Sequence, residues 1–516
     1  MHLSDHSLRQ IDDAYIQSLE VEALRGLSAR LLADLKDARD RLNQGPDNSS
    51  RPPSSRAPWD RGDGEPEADA ATDAVDDGAE SEPADAKPEP AEPPSAEAKP
   101  AKTPLARKPG KQPRAPGIGR TQVFQGNAEQ AHYPDACAGC GRSLAPAGAV
   151  AYTGFQAVDL RWDDPARPGL TLWVVDHRYD EVPCACGHRT RAGAGQGVVD
   201  PLLAGIELNE WRLVGPGLAA LIVALAFRFR LSRARIREFL GEWLGLKLSV
   251  GTIHRTLHEA GAAVAPAEEE LVAEVLASAL LHADETAWPE HGQTLWLWVF
   301  RSLTVTLYYV AGRGKECVEN VLDGFTGWLM SDGWMAYRDY PRRLRCWAHL
   351  IRKARGLAES CDREARIFGR LVLETLEALM AAVYAAREGP PPVALPTPHT
   401  WALAALRVAC EQRQGHAHAK THALAVELLN DWEAIFQVLS HPERPLTNNA
   451  AERALRHWVI ARKISHGTRT PVGSRVFALL ASVIDTCRQR GHAPWRYLER
   501  AIADRRAGWP LAPLPQ

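Results

Sequence analysis

Three periods of apolar residues succeed one another along the chain, and they divide it. Leu24, Leu31, Leu35 and Leu42 recur at roughly heptad spacing with charged residues between them, which predicts a helix over 11–43. Over 45–101 the periodicity vanishes into Pro, Ala, Ser and acid, a composition that cannot bury a core and predicts disorder. From about 121 the pattern becomes globular. Short β-like segments such as Leu172-Trp-Val-Val175 mark 130–195, and 205–275 reads as helical. Strand and helix alternate over 278–347, Ala/Leu-rich helices fill 360–440, and two more helices over 447–490 precede a Pro-rich tail. The expected architecture is a multidomain α/β protein with segments 1–44, 45–120, 121–200, 201–275, 276–490 and 491–516, the fifth carrying a helical insertion at about 360–440.

The heptads of the first segment fit a short coiled coil that pairs two chains, or a helix packed on its own chain. The longest apolar run, Leu218 to Phe227, is about half a membrane span and predicts a buried core helix. The start, Met1-His-Leu-Ser-Asp-His, has no apolar run of a secretory signal, so a soluble, cytoplasmic protein without a membrane partner is expected. The formal net charge of −3 hides an asymmetry. Residues 60–100 hold fourteen acidic and three basic side chains, so everything else carries +8. A basic, Pro-rich arm over 102–120 has six Lys/Arg and no acid. The balance suits a polyanionic partner.

Nine cysteines in 516 residues do not form a disulfide scaffold. Four of them make two close pairs. Cys137-Ala-Gly-Cys140-Gly aims two thiolates at one ion across a Gly-assisted turn, the pattern of a zinc knuckle. Cys184-Ala-Cys186-Gly-His188 supplies the other half, with both sulfurs or with one sulfur and the imidazole. The 43 residues between the pairs require a small β insertion. Four such ligands close the coordination sphere, so the zinc is structural.

Residues 231–257 have helix-turn-helix form, with a first helix ending near Gly245 and Ser249 as the N-cap of the second. Thr252, His254, Arg255 and His258 would face outward, and Ile253 and Leu257 inward. A plain helical hairpin has the same pattern.

The strand-rich segment carries acids at telling places. Ser278 to Ala283 is an apolar run ending in Asp284, Thr294 to Phe300 and Thr304 to Val310 are two further strands, and Glu316 to Leu322 is a helix. A fourth strand, Gly327 to Ser331, ends in Asp332, and Leu344 to Trp347 makes a fifth. Three antiparallel strands, a helix and a strand ending in an acid are the ribonuclease-H-like order. It makes Asp284 and Asp332 neighbours, in a pocket suited to hard cations. A third acid should come from a helix, and Glu452 in Thr447-Asn-Asn-Ala-Ala-Glu-Arg453 is the candidate. Each residue also has a plainer reading. Asp332-Gly333 fits a turn, Asn449 with Glu452 a capping box, and Glu452 with Arg456 an i,i+4 pair.

Six segments in order carry a resemblance to transposases of the insertion sequence 66 family: 133–141 around the first knuckle, His282-Ala-Asp-Glu-Thr-Ala-Trp288, Ser331-Asp-Gly-Trp-Met-Ala-Tyr337, Cys346-Trp-Ala-His349, Thr447 to Arg453, and Arg462-Lys-Ile-Ser-His-Gly467 with Gly473-Ser-Arg-Val-Phe477. The resemblance implies a DDE enzyme whose catalytic acids are Asp284, Asp332 and Glu452, holding two Mg²⁺ or Mn²⁺ ions. It places the family's zinc-binding domain on Cys137, Cys140, Cys184 and Cys186. It further implies strand cleavage at element ends and transfer into target DNA, with DNA as the partner; a second copy of the chain is the partner the heptads fit, and accessory proteins of the same element are further candidates. Thr252, His254 and Arg255 on the second helix, and Arg453, Arg456, Arg462, Lys463, Arg469 and Arg475 around the third acid, are the expected DNA contacts. Glu285, Trp288 and His349 either line the site or pack beside it. The rival readings are a non-catalytic DNA-binding regulator derived from a transposase, and a nuclease that cuts without joining.

Overall fold

The computed structural model describes residues 11, 13–42, 122–162, 166, 168–389 and 394–516. The linker expected over 45–120, with its acidic stretch and basic arm, lies outside them. The single helix predicted over 11–43 is two, α1 (Asp13–Ser18) and α2 (Val21–Leu42). Ser18 Oγ donates to the Tyr15 carbonyl at 2.7 Å, a local bond that competes with continuation of the helix. Leu24, Leu31 and Leu35 are exposed, while Asp40 ties α2 to its own chain by accepting from Ser360 Oγ at 2.6 Å and Cys361 N at 3.0 Å.

Strands β1 (Ala128–His132), β2 (Val150–Arg161), β3 (Thr171–Pro183) and β4 (Arg189–Arg191) form a mixed sheet. In it β3 pairs parallel with β1 and antiparallel with β2 and β4. The apolar run predicted as a core helix is α3 (Pro216–Phe227), buried around most of its circumference. Helices α4 (Arg233–Trp243), α5 (Val250–Val264) and α6 (Ala267–Ala277) follow.

A second sheet holds β5 (Leu280–Glu290), β6 (Gln293–Arg301), β7 (Thr306–Ala311), β8 (Trp328–Ser331) and β9 (Arg343–Arg345), with α7 (Glu316–Val321) between β7 and β8. The order is β7-β6-β5-β8-β9. The first three strands are mutually antiparallel, and β8 and β9 run parallel to β5. His291 (φ 46°) and Gly292 (φ 84°) make the two-residue β5–β6 turn, whose left-handed conformation matches the strand twist. Asp284 does not end β5 as expected. The strand continues to Glu290 because β6 goes on pairing with it, and only the parallel partner β8 stops short.

Helices α8 (Trp347–Ala358), α9 (Arg363–Glu388), α10 (Thr400–Glu411), α11 (Ala419–Asn430) and the short α12 (Trp432–Phe436) bury their own apolar cluster, including Leu350, Phe368, Leu376 and Leu428. A larger cluster runs from Val158 and Val174 of the first sheet through α3 and α5 to Leu281, Leu297 and Val299 of the second. Helices α13 (Asn449–Ser465) and α14 (Pro471–Gln489) contribute Leu455, Trp458 and Leu480 to it. The expected C-terminal tail contains α15 (Pro494–Arg506), whose Leu498 and Ile502 are buried and whose Arg506 pairs with buried Glu259 at 2.8 Å. Its periodic apolar residues hold it against α3 and α5.

Candidate active site

Register decides where the first two acids lie. The parallel pairing aligns Leu280 with Trp328, Leu281 with Leu329 and His282 with Met330. Continued two residues further, it sets Asp284 opposite Asp332. Paired residues share a face and alternate residues share a side, so both acids project from the face that carries His282 and Met330. Asp284 Oδ1 accepts from Glu285 N at 2.9 Å and Asp332 Oδ1 from Trp334 N at 2.9 Å, which fixes each carboxylate locally. Burial first, then the charges of Asp332, Glu285 and Glu452, push the Asp284 carboxyl well above its ordinary range.

The third acid arrives on α13. Asn448, fully buried, is the N-cap residue, but its side chain does not cap the helix. Instead Nδ2 donates to the Ala283 carbonyl at 2.8 Å, Oδ1 faces His282 Nδ1 at 3.1 Å, and its backbone N–H reaches Cys346 Sγ at 3.2 Å. The first turn of α13 is thereby pinned to β5 one residue before Asp284. Its carbonyl accepts from Glu452 N at 3.2 Å, so Glu452 rides directly on this anchor. The expected capping box starting at Asn449 is not formed, because the cap position belongs to Asn448.

Glu452 Oε1 lies 3.7 Å from His349 Nε2 and is buried without a hydrogen-bond partner among the described residues. Burial first, then the charges of Arg352 and Lys353, push His349 down to about 4, so this imidazole is neutral and the contact is no ion pair. Cys346, His349 and Glu452 bring one donor atom each within 4.8 Å of the others. His349 and Asp332 also line a cleft of about 650 Å³ closed on its far side by α11.

Glu285, next in sequence to Asp284, points to the opposite face. Arg313 Nη2 donates to its Oε1 at 3.0 Å and Tyr337 OH to its Oε2 at 3.0 Å, while the Arg313 guanidinium stacks between Trp296 and Trp334. Trp288 is a core residue, buried and stacked on Phe477.

A family model, Transposase IS66 family, matches residues 212–476, half of the chain. The chain belongs to the IS66 transposase family. The match takes in α4, α5 and all three acids and leaves the four paired cysteines outside. Uncharacterized protein y4qI of Sinorhizobium fredii is 27% identical over 260 residues, 45% of this chain and 48% of that one. Uncharacterized protein y4jO of the same organism is 37% identical over 83 residues, 16% of this chain and 26% of that one. The chain thus spans half or less of the length of these curated relatives.

The remaining expected sites of this IS66-family chain fall as follows. The sulfurs of Cys137, Cys140, Cys184 and Cys186 all lie within 4.8 Å of one another, and His188 stands outside the group. Cys137 faces Cys186 and Cys140 faces Cys184, each pair at 3.7 Å, and Gly139 N–H donates to Cys137 Sγ at 3.4 Å. In the helix pair, Ser249 caps α5 by accepting from Thr252 N at 3.0 Å, and Ile253 and Leu257 are buried as expected. Arg255 is exposed, whereas His254 and His258 are half-buried, ring against ring at 4.0 Å, and burial lowers both pKa values, that of His258 to about 4. Thr252 is half-buried and its hydroxyl contacts Ser249 Oγ at 2.9 Å. The outward face expected of α5 is therefore narrower.

Among the basic residues, Arg453, Arg456, Lys463 and Arg469 are exposed. Arg462 instead donates to Thr286 Oγ1 at 2.8 Å, and Arg475 is clamped by Glu268 at 2.5 Å and Asp200 at 3.0 Å. Both arginines brace the fold. Sequence reasoning missed Asn448, Arg313 and Tyr337. The Asn-Asn pair before Glu452 was the signal for the first, and nothing local marked the other two.

Proposed function

We propose that this chain is a DNA transposase that cuts strands at element ends and joins them to target DNA, using a ribonuclease-H-like core. The observation that carries the proposal is the placing of three acids about one sheet face, where the charges of Asp332 and Glu452 both act on Asp284, although Glu452 groups most closely with Cys346 and His349. The continued β5–β8 register faces Asp284 with Asp332, and Asn448 fastens the helix bearing Glu452 over the same sheet face. The strand order, with three antiparallel strands followed by two parallel ones on the other side of β5, supports the fold assignment.

The residues fit divalent cations. Asp284, Asp332 and Glu452 offer hard carboxylate oxygens, one Glu452 oxygen is buried and unpaired, and Asp284 is crowded by like charge that a cation would relieve. Two Mg²⁺ or Mn²⁺ ions held there would supply activation of a water or a 3′-hydroxyl and stabilisation of the leaving oxygen. The chain's own part is positioning. Backbone N–H groups orient Asp284 and Asp332, Asn448 sets the height of Glu452, and neutral His349 borders Glu452 without neutralising it. Arg255, Arg453, Arg456 and Lys463, all exposed, are available for phosphates. The four clustered thiols suit one structural zinc ion, and the exposed leucines of α2 suit pairing with a second copy.

The test is strand transfer in vitro with element-end DNA and Mg²⁺, comparing the parent protein with Asp284→Asn. Loss of joining on retained DNA binding supports the assignment, and undiminished transfer by the variant refutes it. Sequence-specific binding with no metal-dependent cleavage or joining would mark a regulator instead.

A further inference from the structure

A second cleft, of about 620 Å³, is lined by Ala450, Arg453, Ala454 and His457 of α13. Consecutive residues divide the two, with Glu452 beside His349 and Arg453 lining the second cleft. Four arginines from four different elements converge there: Arg228 at the end of α3, Arg301 at the end of β6, Arg453 on α13 and Arg488 in the last turn of α14. No side chain of these four makes an ion pair or hydrogen bond with a described residue. Elsewhere in the same molecule arginines are engaged, as Arg506 is by Glu259 and Arg475 by Glu268.

The one carboxylate lining this cleft is already committed inward. Asp485 Oδ2 accepts from Tyr308 OH at 2.7 Å and from Trp458 Nε1 at 3.1 Å. His457 adds no charge, because its ring is fixed between Arg230 Nη2 at 2.7 Å and the Phe227 carbonyl at 2.7 Å and burial keeps it neutral. Asp485 offsets part of the charge of Arg301 and Arg488, and four converging cations against this one acid still leave a net positive concavity, which focuses its field and concentrates anions. His282 lines this cleft, two residues before Asp284 on the same strand face, so the cleft adjoins the acids.

We propose that Arg228, Arg301, Arg453 and Arg488 form a binding groove for the phosphate backbone of the DNA strand that passes the carboxylate site. The choice of DNA as the anion rests on the transposase reading. The spread of the arginines over four elements suits several successive phosphates along a strand, which point-charge contacts would hold without reading bases.

The experiment measures binding of a labelled DNA strand of arbitrary sequence by the full chain over a salt series, for the parent, for Arg228→Gln/Arg488→Gln, and for the control Arg363→Gln/Arg370→Gln on α9. Neither pair makes a side-chain contact the fold depends on, and matching melting curves check this. The first variant should bind roughly tenfold more weakly for every sequence, with the slope of log K against log salt reduced by about 1.4–1.8, two phosphate contacts' worth. The control should bind as the parent does. Equal affinity and slope in the first variant and the parent would overturn the groove. Displacement of tripolyphosphate binding by the same substitutions, with DNA binding untouched, would overturn the strand assignment. Strand transfer by the parent is scored separately, so a chain that transfers but whose variant binds normally defeats the groove alone. A chain whose variant loses binding but which never cleaves defeats the transposase reading alone.

Discussion

Two consecutive carboxylates on β5 have opposite fates, and strand alternation is the reason. Glu285 turns to the face where Arg313 and Tyr337 satisfy it, while Asp284 turns to the face where its neighbours are Asp332 and Glu452. One is satisfied by an arginine and a tyrosine, and the other is crowded by like charge. In metal-free protein, Arg313→Ala should therefore lower the melting temperature by stranding a buried carboxylate, and Asp284→Asn should hold or raise it by removing repulsion. A lower melting temperature for the second variant than for the first would contradict this. His457 gives a pH expectation. Its pKa is pushed down to about 4, mainly by burial, whereas the unfolded chain takes up a proton near about 6.5. The folded state thus binds fewer protons between those values, and stability falls as pH drops through that window. Urea melts at mildly acidic and neutral pH should show a shallower acid-side loss in His457→Gln than in the parent. Sequence reading singled out Asp284 and Asp332 because each follows an apolar run, and the β5–β8 register, continued, sets the two opposite each other. It gave no sign that Arg462 and Arg475 bond Thr286 and Glu268, which lie far away in the chain and leave no local mark.

At the scale of elements, α13 brings Glu452 to the sheet. Its anchor, Asn448, is fully buried and bonds a strand carbonyl 165 positions away. Asn448→Ala should cost about 1–3 kcal/mol by leaving the Ala283 carbonyl unpaired, and should depress joining although Glu452 is intact. Asn448→Asp keeps the size but loses the donor and adds a fourth negative charge, so it should fare no better. Normal joining by a destabilised Asn448→Ala protein would show that the anchor positions nothing. The strands were legible element by element because apolar and β-branched runs of four to ten residues are bounded by turn residues. The exceptions were the fifth strand, which ends at Arg345 and not at Trp347 because Trp347 opens α8, and the length of β5, whose far half is held by β6 alone and has no apolar run, Glu285-Thr-Ala-Trp-Pro. The last helix, α15, was obscured by the prolines that flank it.

For the molecule as a whole, the four cysteines close a loop that spans the first sheet, between β1 and β4. Purified protein should hold close to one zinc per chain by elemental analysis, and Cys137→Ser or Cys186→Ser should lower that content together with the thermal stability. His188→Ala should leave it unchanged, and a matching loss there would return the imidazole to the ligand set. No helix among the described residues is long and apolar enough to cross a membrane. The helical block α8–α12 separates the second acid from the third along the chain. During synthesis at about 5–20 residues per second, a nascent chain would carry Asp284 and Asp332 for about 6–24 s before Glu452 is made. Through that interval Asn448 is missing as well, so the Ala283 carbonyl waits for its donor and the face of the sheet that α13 will cover stands open until α13 has been made.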